Sequence, residues 1–391
     1  MSRESRTVIG FSLLDGLYWA FYAVFVGFIA TYLLACGISN SILSILLAVF
    51  MACSFAGAFF WGGLCDRHHT NKKVFLPEFI GSVILSLIIF FLAKVNLWIA
   101  AGLYPLFGFF SAPLGSNLDA WMIKRFHKDA GMYGKARAVG SFGYAAAALV
   151  IGLLIVQVGY IVMPIGIVIC AVPVALLASA MKEDPYPQTC EHIEHVNASA
   201  LLKIRPYIYM IVILFLTGLA CAPINNLKIV IMQSVGGDVG MLGIDSFIGT
   251  TIQAVFIFAS GRLKRIPPYV RLIMMTMFAL FDMVLIVTAG SPVMVIIGSV
   301  MWNASYGVML PTVREITEKN VHGALKNTAH AMADAVYSSF AGIVALIYSG
   351  FMMDSFGARS VAVLGMVIMI LPTVMAFFAL FQGRKTRGDV N

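Results

Sequence analysis

Six ionisable side chains stand inside long apolar runs of this sequence: Asp15, Asp119, Arg137, Lys228, Asp282 and Asp334. A charge in hydrocarbon is costly unless it is paired or reached by water, so function is sought first at these positions. Asp119 precedes the basic residue Lys124 by five positions, and Arg137 lies a similar distance into the next run. At about 1.5 Å per residue the two reach similar depth on sequential antiparallel helices. Carboxylate and guanidinium at one depth form a charge-assisted pair and offer paired hydrogen bonds to neighbouring hydroxyls. Tyr144 follows Arg137 by seven residues, on the same helical face. There an aromatic ring can pack against the apolar part of a bound solute. Further polar wall candidates are Tyr18, Tyr22, Asn225, Asn226, Gln253, Asn303, Tyr306 and Tyr337, each of which can equally bond a neighbouring helix. Lys228 and Asp282 lie at similar depth near the outer ends of their runs and are placed to pair. Asp334 has His330 one turn before it, so it is the first candidate proton carrier with His330 as relay, and Asp15 is the alternative.

These residues are positioned by elements that composition already defines. The chain has 391 residues, 60% hydrophobic and 11% charged, with a mean hydropathy of +0.92. Soluble domains carry about 25% charge. The composition excludes a soluble enzyme, a disordered regulator and a secreted disulfide scaffold, and leaves a polytopic membrane protein. Apolar runs recur at about 8–35, 41–64, 74–93, 97–123, 133–157, 161–181, 206–233, 241–261, 270–289, 292–313, 325–353 and 358–382. Each is long enough to cross a bilayer core of ~30 Å as a helix. Helices are required because lipid cannot satisfy a backbone group, and a barrel would show shorter alternating segments. The expected fold is all-α, with twelve transmembrane helices.

Lys and Arg fix the orientation. With the N-terminus inside, 23 of the 26 fall in inner segments, only Lys94 and Arg359 fall outside, and Lys228 lies within a span. Both termini are thus expected in the cytoplasm, with the chain multi-pass in a cell (inner) membrane. The net charge of +8 is spread in short clusters between apolar runs, so no nucleic-acid partner is expected. Residues 182–205 form the longest polar stretch and read as a cytoplasmic linker between halves spanning 1–181 and 206–391. Cys190, His192 and His195 have ligand-like spacing there, but a solvated linker is the better reading. No metal or other cofactor is expected, and no HExxH, GxSxG or P-loop pattern supports an enzyme.

The halves match at an offset of 198 residues, which pairs Ser141 with Ser339, Gly152 with Gly350 and Gly159 with Gly357. A six-plus-six parallel repeat follows. The segment Gly62-Gly63-Leu64-Cys65-Asp66-Arg67-His68-His69, then Lys72-Lys73, resembles the loop signature of the major facilitator superfamily. In that superfamily the loop latches one state, which implies a latch at Gly63, Asp66 and Arg67, with Gly63 allowing close helix approach. His69 stands where a Gly is usual, so the turn is open to change.

Asp119-Ala120-Trp121, with Tyr133-Gly134-Lys135-Ala136-Arg137 through Tyr144, resembles the lactose permease branch, the oligosaccharide:proton symporters. The resemblance implies that Asp119 and Arg137 hold sugar hydroxyls and that Tyr144 stacks on the ring, with Asp in place of Glu and Tyr in place of Trp. It also implies a solute site between the halves, alternating access and a monomer. The second half departs from the permeases. Glu315 and Glu318 lie at the inner end of the tenth run, Asp282 stands where an Arg belongs, and Lys228 falls near the place of an Asp. Proton coupling is therefore not inherited by motif, and Asp334, His330, Asp282, Lys228 and Asp15 stay as candidates. The expected function is proton-coupled import of a small polar solute, a sugar or oligosaccharide. The alternatives are a nucleoside:proton symporter and a drug or metabolite:proton antiporter.

Overall fold

The structure, a computed structural model, describes residues 3–126, 129–183, 198–263, 265–321 and 325–388. Cys190, His192 and His195 lie outside the described residues. All regular structure among the described residues is helical. The helices are α1 (Arg3–Val26), α2 (Ile29–Ala35), α3 (Asn40–His68), α4 (Lys72–Leu92), α5 (Leu97–Arg125), α6 (Ala130–Val158), α7 (Val162–Ala180), α8 (Arg205–Asn226) and α9 (Lys228–Ser234). They continue with α10 (Val239–Phe258), α11 (Ser260–Leu263), α12 (Pro268–Thr288), α13 (Pro292–Asn320), α14 (Leu325–Ala335), α15 (Ala341–Phe356) and α16 (Ser360–Gly388). Twelve segments are long and apolar enough to cross a membrane, as the sequence predicts. Their outward faces carry large apolar side chains, such as Phe59 at 69% exposure and Leu176 at 66%. Such a surface suits hydrocarbon rather than water.

Contacts divide the chain into two units. The first holds Met1–Gln188 with Asp238–Phe247, and the second holds Thr189–Gly237 with Ile248–Asn391. In the first, α1 packs on α6 and α7, α3 on α5, and α4 on α5 and α7. In the second, α12 packs on α13 and α16, and α8 on α15 and α16. The repeat is visible inside each unit. The first span breaks between α1 and α2, and the seventh breaks at Leu227 between α8 and α9. Gly159 after α6 and Gly357 after α15 both take positive φ, at 80° and 88°. With ψ of -177° and 161°, both lie in an extended region of positive φ that is essentially open to glycine alone, which explains the matched pair in sequence.

The loop after α3 closes through His69, whose φ of 50° makes it the one non-glycine residue with positive φ among the described residues. Its N–H donates to the Asp66 and Cys65 carbonyls. The turn therefore keeps the left-handed shape a Gly would give, at a steric cost of about 1–2 kcal/mol for a side chain. His69→Gly is expected to raise stability by up to about that amount in a denaturant titration. An unchanged or lowered midpoint would contradict this.

A Cβ built on Gly62 or Gly63 meets nothing within 4 Å, so no close helix approach is present at either in this structure. Asp66 and Arg67 are exposed at the end of α3. It is Glu183, assigned by sequence to the solvated linker, that occupies the helix N-terminus here. Its carboxylate accepts from Thr70 Oγ1 and from the Asn71 and Lys72 backbone N–H groups at the start of α4. An anion there meets orphan donors and the positive end of the helix dipole. Lys72 Nζ in turn donates to the Ser179 and Met181 carbonyls at the end of α7, at 2.6 and 2.7 Å. Lys124 Nζ donates to Asn71 Oδ1 at 2.7 Å. This polar clasp ties the start of α4 to the ends of α5 and α7.

Candidate functional site

The first unit gathers its intramembrane charges around one guanidinium. Arg137 on α6 has Nε 3.8 Å from Asp119 Oδ1 on α5 and Nη1 3.8 Å from Asp15 Oδ2 on α1. The guanidinium also lies over the Trp19 indole, 4.6 Å from the ring centroid. Such a contact is electrostatically attractive and holds the planar group flat against the ring. Asp15 is 1% exposed, whereas Asp119 and Arg137 side chains are 30% and 32% exposed. One carboxylate is therefore sealed in the packing, and the other two side chains are partly exposed.

Local sequence explains the close convergence. A Cβ on Gly140 would fall 2.0 Å from Asp15 Oδ2 and 2.8 Å from Trp19. One on Gly143 would fall 2.2 Å from the Gly16 carbonyl. Only glycines at both positions allow α6 to lie this close to α1 and bring Arg137 beside Asp15. The Tyr133 hydroxyl faces Asp119 from the start of α6.

Aromatic rings complete the wall. Trp19 makes edge contacts with Tyr18, Tyr22 and Tyr144, at 5.3, 5.5 and 6.5 Å between centroids. Tyr144 and Tyr22 are half-buried. Tyr18 is 1% exposed, with its hydroxyl 3.5 Å from the Ser111 carbonyl, so it supports the wall from behind. Five polar atoms at this cluster are buried without a hydrogen-bond partner: both Asp15 oxygens, Asp119 Oδ1, Arg137 Nη1 and Trp19 Nε1. Buried polar atoms are usually satisfied, so a group of orphans converging on one place marks a site with hydrogen bonds to give.

In the second unit, Lys228 is 9% exposed at the start of α9, and its Nζ lies 5.9 Å from the Trp302 ring. Trp302, Tyr306 and Tyr337 form a ladder of rings 5.8 and 5.9 Å apart. Asp282 is buried on α12 beside Gly298. Asn225, Asn226 and Asn303 donate to carbonyls of their own helices at 2.8 to 2.9 Å, so part of their amide capacity is already used. Gln253 is half-buried on α10.

Asp334 lines a small pocket with His330, Tyr337 and Arg314 of α13. His330 is the cation one turn away on the same helix, and Arg314 is a second one, brought in by the neighbouring α13. His330 Nε2 is 3.0 Å from Glu318 Oε1, and Lys326 pairs with the same carboxylate. Directly after Asp334 and Ala335 the helix widens into a π-helical turn, Val336–Phe340, an irregularity common at functional sites.

Two buried acid sites escaped the sequence reading. Glu78 on α4 is fully buried and accepts from Asn117 Nδ2 at 2.6 Å, and Cys65 Sγ bonds Asn117 Oδ1 at 3.4 Å. Asp245 on α10 is 2% exposed. Both lie within a few residues of the start of their apolar runs and so read as interfacial. Arg271, counted as an inner-loop cation, is fully buried and pairs with Glu315, which also takes Lys319 at 2.6 Å.

Comparison with known proteins fits this architecture. The model of the MFS_1 like family matches residues 11–363. Maltose permease of Geobacillus stearothermophilus is 22% identical over 338 residues, covering 84% of this chain and 83% of the permease. The crystal structure of the nucleoside transporter NupG superposes with a TM-score of 0.80 at 16% identity, covering 96% of this chain and 98% of that one. That of a D-xylose-proton symporter superposes with a TM-score of 0.69 at 13% identity, covering 97% of each chain. With a family model matching most of its length and a twelve-span helical fold, the chain belongs to the MFS_1 like family of the major facilitator superfamily.

Proposed function

We propose that this secondary transporter imports a sugar or oligosaccharide together with a proton, by alternating access. The single observation that carries the reading is the Asp119–Arg137 pair beside Trp19 and Tyr144. The pair is held at 3.8 Å, beyond hydrogen-bond length, with Asp119 Oδ1 and Arg137 Nη1 unsatisfied. A polyol supplies what both lack: hydroxyls that donate to the carboxylate and accept from the guanidinium. The adjoining rings then cover the apolar face of the sugar. The permease relative supports a sugar, and the NupG fold supports a nucleoside equally, since a base also stacks on an aromatic wall. Within the first unit the proposed solute wall is Asp119, Arg137, Tyr144 and Tyr22, with Trp19 added. Within the second unit Gln253, Asn225, Asn303, Tyr306 and Tyr337 are proposed solute-binding residues. We place the chain in a cell membrane as a monomer, with both termini on the cytoplasmic side.

The test is uptake of labelled mono- and disaccharides and nucleosides into proteoliposomes, with and without an imposed proton gradient. Sugar accumulation driven by the gradient supports the proposal. Accumulation of nucleosides alone replaces sugar by nucleoside, and gradient-independent uptake removes the proton. Within the same assay Tyr144→Phe is expected to keep solute affinity, and Tyr144→Ala to lose about 1–2 kcal/mol, roughly 5- to 30-fold. Equal affinity in the two variants would remove Tyr144 from the wall.

A further inference from the structure

Arg137 is claimed by two carboxylates at the same distance, and they differ in every other respect. The Asp119 side chain is 30% exposed, whereas that of Asp15 is 1% exposed. Gly140 presses against Asp15 and leaves no room for any side-chain atom, so Asp15 is sealed where a solute does not reach. We propose that Asp15 is the proton-binding group of this site: ionised, it competes with Asp119 and solute for Arg137, and protonated, it releases Arg137 to the solute. This rests on the solute reading above and adds to it how binding is coupled.

The charge count motivates the assignment. The charged groups facing Asp15 are Arg137 from α6 and Asp119 from α5. Its other neighbours are neutral: Trp19 and Tyr18 on its own helix, with Tyr133 of α6 beyond Asp119. Two carboxylates against one guanidinium leave a net negative charge in a low-dielectric place, and one proton removes it. Like charges sharing a site do not ionise together. The proton goes to the carboxyl that water solvates less, which is Asp15. Trp19 is the one donor set beside the Asp15 oxygens, and no hydrogen bond of normal geometry reaches them, so the 3.8 Å attraction to Arg137 and the Trp19 N–H are what hold the ionised form. On protonation that attraction falls away. The guanidinium is then held by Trp19 and Asp119 alone, with its fork free for hydroxyls. Deprotonation draws Arg137 back towards Asp15 and ejects the solute. Asp15 touches no solute and acts as a positioning residue through Arg137.

The experiment has a solute-free arm and a binding arm. In solute-free protein in lipid, infrared spectroscopy across a pH titration reads the C=O stretch of protonated carboxylic acids. The wild-type minus Asp15→Asn difference is expected to contain one band that titrates. In the binding arm, wild-type affinity for the sugar found by uptake should fall about tenfold per pH unit once Asp15 ionises, because one proton is bound with the solute. Asp15→Asn should bind at the wild-type low-pH affinity at every pH and exchange solute across the membrane without accumulating it. Asp334→Asn should keep the wild-type pH slope. A difference spectrum without a titrating band overturns the proposal whatever the solute is. So does a pH slope that persists in Asp15→Asn or vanishes in Asp334→Asn. If Asp15→Asn fails to fold, calorimetry of the wild type in two buffers of unlike ionisation enthalpy decides, and zero proton uptake on binding overturns it. A titrating band with no sugar bound at any pH instead defeats the solute reading and leaves Asp15 as the proton site.

Discussion

Arg137→Lys is expected to weaken solute binding about 10- to 150-fold while the protein remains folded. The range corresponds to losing one charge-assisted hydrogen bond of about 1.5–3 kcal/mol. Lysine keeps the charge but not the planar fork that meets two hydroxyls at once, nor the flat contact with an indole. The Trp19 face 4.6 Å from Arg137 shows that planarity is used here. Calorimetric titration of the purified protein measures the effect, and thermal unfolding controls for the fold. Affinity unchanged in Arg137→Lys would mean that Arg137 serves only to balance Asp15 and Asp119.

The second large effect lies far from that site. Arg271 is fully buried and reaches Glu315 from α12 to α13, while its Nε donates to the Ile266 carbonyl at 3.0 Å. Removing one partner of such a pair leaves the other charge uncompensated, at about 3–5 kcal/mol. Glu315→Leu is therefore expected to lower the stability of the second unit by that amount, because it strands the fully buried Arg271. Arg271→Met with Glu315→Leu should recover most of the loss, because no buried charge is left over. Lys319 stays 57% exposed and solvated in either case. Denaturant unfolding of both variants decides the matter. A double variant as unstable as the single one would show that the two residues do not interact.

The sequence made some of this legible for identifiable reasons. The twelve spans are readable because lipid leaves the backbone a single local solution, so length and apolarity suffice. The depth match of Asp119 and Arg137 is readable because consecutive spans share an inner end from which residues can be counted. Asp15 beside Arg137 is not readable that way. The two come from the first and fifth spans, and their meeting depends on how closely α6 approaches α1, which Gly140 and Gly143 control. Trp19 was missed because a tryptophan in an apolar run has no compositional signature, and only the ring under Arg137 gives it a role. Glu183 was taken for a solvated linker charge, since nothing local shows that it folds back onto the start of α4. Arg271 and Glu315 are a long-range pair between helices and look like ordinary inner-end charges when counted along the chain.

The central claim is that Asp119 and Arg137 hold the solute. The most direct measurement is an experimental structure of the protein with a bound disaccharide. The expected result places sugar hydroxyls within about 2.7–3.2 Å of the Arg137 fork and of Asp119, with a ring lying against Tyr144 or Trp19. Well-ordered sugar that contacts neither Asp119 nor Arg137 would contradict it.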